Sequence, residues 1–80
     1  ARSITGVEVA VMILQQDENL CRINFRSKGR IVINDIAKSL GGGGHPLAAG
    51  AKIEGNIKTV RNIVVDTTIK SLKNKIQLRN

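Results

Sequence analysis

Eighty residues suffice for one domain with a small core, since a chain this short hides only about 60% of its unfolded surface, and with Phe25 as the sole aromatic the packing falls to aliphatic side chains. A net charge of +7, from thirteen Lys and Arg against six Asp and Glu, favours an anionic partner; without Trp or Tyr, nucleobase stacking is disfavoured and any nucleic-acid contact should be mostly to phosphate. The lone Cys21 excludes an internal disulfide and a cysteine zinc cluster, and the chain shows neither a membrane-length apolar run nor a signal-peptide pattern, which together predict a soluble, cytoplasmic protein. Because the chain starts at Ala1 rather than Met, a piece of a longer polypeptide is expected.

In chain order, residues 1–6 read as a linker. The apolar run Val7 to Leu14 predicts a strand covered on both faces. Gln15 to Asn19 supplies a polar turn. Cys21, Ile23 and Phe25 then alternate with Arg22, Asn24 and Arg26, predicting a second strand that pairs with the first as a hairpin and places both arginines on one face, with Lys28 close beyond. Gly29 breaks that strand, and Asn34 is the expected N-cap of a short helix, Asp35 to Leu40, which Gly41 stops in the left-handed conformation. After a glycine loop, Ala49 to Glu54 predicts a strand and Gly55-Asn56 a turn. A long helix from Ile57 to Ile76 follows, its apolar stripe made by Ile57, Val60, Val64, Leu72 and Ile76. Residues 77–80 form a tail. The expected class is α/β, a single-domain fragment with a small mixed β-sheet and helices in the order ββαβα. Cys21 is read as a small buried residue rather than a reactive thiol, and the basic tail (Lys70, Lys73, Lys75, Arg79) as a solvated helix end.

Two segments carry the chemistry. Arg26 offers a planar fork of donors for phosphate or carboxylate, Ser27 a hydroxyl, and Lys28 a further charge. Gly42, Gly43 and Gly44 expose main-chain N–H groups that an anion can approach closely, and His45 is the one residue here able to move a proton near neutrality. The competing readings are a solvent-facing Arg26 and a His45 that fixes the loop by hydrogen bonds. The six acids, Glu8, Asp17, Glu18, Asp35, Glu54 and Asp66, show no metal-ligand spacing. Gly44 is followed by His45-Pro46 where a Walker loop requires Lys and Ser or Thr. The residues therefore describe a phosphate-binding module without its own catalytic centre.

The string Ile23 to Gly29, the helix end Ile36 to Leu40, and the run Gly41-Gly42-Gly43-Gly44-His45-Pro46-Leu47-Ala48-Ala49-Gly50-Ala51 closely resemble the C-terminal DHH-associated domain of DHH-family phosphoesterases. The resemblance covers about Val7 to Ile76. It is closer to the bacterial nano-RNases that also dephosphorylate 3′-phosphoadenosine 5′-phosphate (pAp) than to cyclic-dinucleotide phosphodiesterases sharing the Gly-Gly-Gly-His core. It implies that a separate N-terminal domain of the same polypeptide carries an Asp-His-His motif and two divalent ions, commonly manganese, and that no cofactor belongs to this chain. It further implies that Arg26, Ser27, Lys28, Gly42 to Gly44 and His45 line the cleft facing those metals, with His45 a candidate proton donor. Short RNA or DNA oligonucleotides or pAp would be the substrates, the parent would be a hydrolase of phosphate esters, and this chain alone would be inactive. A homodimer of the parent is compatible with this, and no membrane partner is expected. The rival classes are a stand-alone nucleic-acid-binding module and a structural or dimerising domain whose glycine loop packs on a partner.

Overall fold

The computed structural model describes residues 9–78, with side chains as far as Lys75, so the readings for the leading residues, for the Ile76 side chain and for the last two positions fall outside the described residues. Six elements follow one another: β1 (Val9–Asp17), β2 (Leu20–Ser27), α1 (Asn34–Ser39), β3 (Gly43–His45), β4 (Ala48–Glu54) and α2 (Ile57–Leu78). The sheet order is β1-β2-β4-β3, and each pairing is antiparallel. The α/β class and the placement of both helices agree with the sequence. The sheet is antiparallel rather than mixed, and it gains the short strand β3. Two residues, Pro46 and Leu47, separate β3 from β4, and so tight a connection can only return a strand antiparallel.

Period-two alternation in β2 sets the layers. Cys21, Ile23 and Phe25 are buried on one face, and both helices pack there. Ile31 and Ile33 from the β2–α1 connection, Ile36 and Ala37 from α1, and Val60 and Val64 from α2 complete the core. Burying a side chain of the size of Ile23 or Phe25 contributes about 1.5–3 kcal/mol. Among the described residues the other face of the sheet carries no helix. On it Met12 and Leu14 of β1 are exposed, so β1 is an edge strand covered on one side only, contrary to the reading of its apolar run. β1 also runs on to Asp17, leaving a tight turn in which Asn19 N–H donates to Asp17 Oδ1 at 2.9 Å.

The helix ends show which local signals acted. Asn34 is already helical and makes no side-chain cap; the carbonyl of Ile33 accepts instead from the N–H groups of Ile36 and Ala37. At the far end Gly41, with φ of +92°, ends α1 as expected, its N–H donating to Lys38 O and that of Gly42 to Ala37 O. Asn56 caps α2 by accepting from Thr59 N–H at 2.9 Å. Along α2, Val60, Val64 and Thr68 are buried and Leu72 is half-buried, whereas Ile57 is exposed, so the buried stripe takes in Thr68 and leaves out Ile57. Lys75 reaches Asp35 of α1 at 2.7 Å. The corner between β3 and β4 is held from two sides: Ile33 N–H donates to Pro46 O at 2.8 Å and Ser27 N–H to Leu47 O at 3.0 Å. Among the described residues no helix is long and apolar enough to cross a membrane.

Candidate functional site

The helix-free face of the sheet is assembled from the residues that alternate with the core. Arg22, Asn24 and Arg26 of β2 lie opposite Lys52, Gly50 and Ala48 of β4, which in turn places Gly43 opposite Gly50 and His45 opposite Ala48. All of these positions but His45, which stands at the rim beside Ala48, line a broad concavity of about 1160 Å³ floored by glycine and alanine. Arg26, Ala48 and His45 thus form one cross-strand row. With neighbouring strands ~4.8 Å apart, the two outer residues stand ~10 Å apart at the backbone. Both are exposed, and both side chains are long enough to close on one anion above the Ala48 methyl group.

The sheet brings together only part of the predicted set. Ser27 has the opposite parity, across from Val9, and its hydroxyl is buried without a hydrogen-bond partner. Alternation puts it on the core side, away from Arg26. Lys28 is exposed beyond the end of β2 and does not line the concavity. The glycines offer only part of a cradle of amides. Gly42 N–H is committed to Ala37 O, whereas Gly43 and Gly44 pair with Gly50 and Ala49 in the edge strand β3, whose N–H groups alternate between β4 and the open edge. Their main contribution is closeness. A Cβ on Gly42 or Gly44 would drive into the backbone of β4, while one on Gly43 would meet nothing within 4 Å. Cys21 is buried, as expected, its thiol near the Gly55 carbonyl at 3.7 Å.

Asn24 shares the face with the arginines, as alternation along β2 predicts; Gly50 and Lys52 join it although the sequence reading did not single them out, and the period-two parity of β4 against β2 is the signal that could have found them. Arg22, Arg26 and Lys52 make no ion pair among the described residues, where the two pairs are Lys70–Asp66 and Lys75–Asp35. Nor do three His, Cys, Asp or Glu side chains gather there to hold a metal ion. The face can bind and orient an anion by charge-assisted hydrogen bonds.

The sequence that builds it, with its arginine strand, glycine crossing and histidine edge, matches the DHHA1 domain over residues 1–77. The chain belongs to the DHHA1 family. Among curated relatives it is 47% identical over 51 residues to the bifunctional oligoribonuclease and PAP phosphatase NrnA of Bacillus subtilis, covering 64% of this chain and 16% of that protein. It is 38% identical over 72 residues to the same-named protein of Mycoplasma genitalium, covering 90% of this chain and 22% of that one. A membrane protein–large ribosomal subunit bL9 fusion protein of Onion yellows phytoplasma is 41% identical over 59 residues, 72% of this chain and 7% of the relative. This DHHA1 domain is thus a DHH-associated domain of the nano-RNase and pAp-phosphatase branch. It spans about a fifth or less of the length of the curated relatives it matches.

Proposed function

We propose that this DHHA1 domain is the substrate-holding part of a longer, metal-dependent phosphoesterase acting on short oligonucleotides or pAp. The observation that carries the reading is the row Arg26–Ala48–His45 on a helix-free, basic face, with no carboxylate paired to the arginine among the described residues. Arg26 supplies fixed positive charge and a two-pronged donor for a phosphate. His45, one strand beyond Ala48, adds a hydrogen bond on the other side of the same group and is the residue able to carry a proton there. Because the described residues hold no cluster fit for a metal, the domain's own part is to bind and orient, which is a catalytic contribution when the phosphate must be presented at one angle. In this reading the divalent ions, manganese being the expected metal, and the attack on phosphorus belong to the Asp-His-His domain of the same polypeptide.

Titrating the isotope-labelled chain with pAp tests the assignment. Amide shifts should concentrate on Arg26, Ala48 and the β3 edge, and Arg26→Ala should weaken binding about tenfold or more, the value of a hydrogen bond to a charged group. Shifts confined to α1 and α2, or affinity untouched by Arg26→Ala, would refute it.

A further inference from the structure

We infer that the opposite end of this face, where Arg22 of β2 stands directly across from Lys52 of β4, is a second phosphate subsite, so that the domain takes a single-stranded oligonucleotide along β2 rather than one nucleotide at its end. The inference rests on the phosphate-binding reading above and adds a second contact point and a binding direction to it. Two like charges placed directly opposite on a sheet repel and destabilise the pairing. Nothing among the described residues neutralises them: Glu54 shares the face, opposite Leu20, yet lies outside ion-pair distance of either cation. An anion seated between the two heads removes that repulsion and gains two charge-assisted hydrogen bonds. Both residues line the same concavity as Arg26, so no ridge separates the two ends.

Spacing decides what kind of anion bridges them. Arg22 and Arg26 are four residues apart on one strand, ~13 Å at the Cα atoms. Strand side chains stand roughly perpendicular to the sheet, so the two heads hold separate phosphates of one strand, and a trinucleotide is the probe that reaches both. Between the subsites lie Asn24 and Gly50, opposite each other. Gly50 keeps the floor bare: a Cβ there would come within 2.9 Å of the Ile23 carbonyl oxygen and 3.2 Å of Asn24 Oδ1. The Asn24 amide is consequently available to a sugar hydroxyl or base edge passing over it.

The test compares pAp with 5′-phosphorylated triadenylate on the 80-residue chain by amide-shift titration at several salt concentrations. Triadenylate is expected to bind about tenfold more tightly than pAp. The double variant Arg22→Gln/Lys52→Gln should erase that advantage, lower the salt slope for triadenylate by roughly 0.7 for the lost phosphate contact, and weaken pAp far less than triadenylate. Both positions are exposed, and removing opposed like charges does not threaten the sheet. A double variant that keeps the length advantage overturns the inference, and so does one that loses pAp and triadenylate equally. If in those cases Arg26→Ala still weakens pAp, the function proposed above stands without the second subsite. If Arg26→Ala changes neither ligand, that function falls and the second subsite with it.

Discussion

Replacing Gly42 by alanine should unfold a large fraction of this domain's stability margin, although the methyl group is small. The added Cβ would lie well inside contact distance of the Gly50 carbonyl oxygen, 2.6 Å from Ala51 Cα and 2.7 Å from Ala51 Cβ. Two of these three atoms are backbone of an internal strand and cannot step aside cheaply, so α1 must lift off β4. Overpacking of this kind costs ~1–3 kcal/mol. Lifting also strains the Gly42 N–H to Ala37 O bond at 2.8 Å, worth about 1 kcal/mol. A loss of about 3 kcal/mol follows, against a total of ~4–12 kcal/mol for a domain of this length. At ~4–8 °C per kcal/mol for small domains, the melting midpoint should fall by ~12–24 °C. Thermal unfolding followed by far-ultraviolet circular dichroism measures it, with Gly43→Ala as the matched control. A Cβ at Gly43 meets nothing within 4 Å and its φ is not positive, so that variant should melt within about 4 °C of the parent. A Gly42→Ala protein melting within that same margin, or a Gly43→Ala protein melting as low as Gly42→Ala, would refute the close-crossing argument.

Ser27→Ala removes a buried hydroxyl that has no partner, so stability should stay level or rise by up to about 1 kcal/mol; urea denaturation checks this, and pAp affinity in the same variant should not change. Asn56→Ala deletes the acceptor for Thr59 N–H at the start of α2 and should cost about 1 kcal/mol, read as a lower urea midpoint at constant slope.

Much of the fold was legible because β2 spells its two faces residue by residue. Cys21, Ile23 and Phe25 went to the core and Arg22, Asn24 and Arg26 to the open side, as alternation requires. The run from Val9 to Leu14 misled because an apolar sequence records no neighbours: a central strand and an edge strand with Met12 and Leu14 left bare can be written alike. β3 was hidden by composition. Glycine is a poor strand former, and β3 lies close on β4 at Gly44, where a Cβ would strike Ala49 and the Ala48 carbonyl. The glycine amides, expected to be free for an anion, are occupied at Gly42, and beyond it they belong to an edge strand whose N–H groups alternate between β4 and the open edge. Ser27 was misplaced by reading it beside Arg26 in sequence when one step along a strand turns a side chain to the other surface. Asn34 lost its capping role to the Ile33 carbonyl, a main-chain choice that side-chain preferences do not encode.

The carbonyls of Pro46 and Leu47 tie the corner next to His45 to two distant stretches of chain, the end of β2 and the approach to α1. The imidazole therefore stands on a riveted hinge plate, not on a free loop tip. Lengthening that corner by a single residue would unfasten both rivets together, so the reach of His45 over Ala48 is a fixed dimension of the molecule, set by the main chain of Ser27 and Ile33.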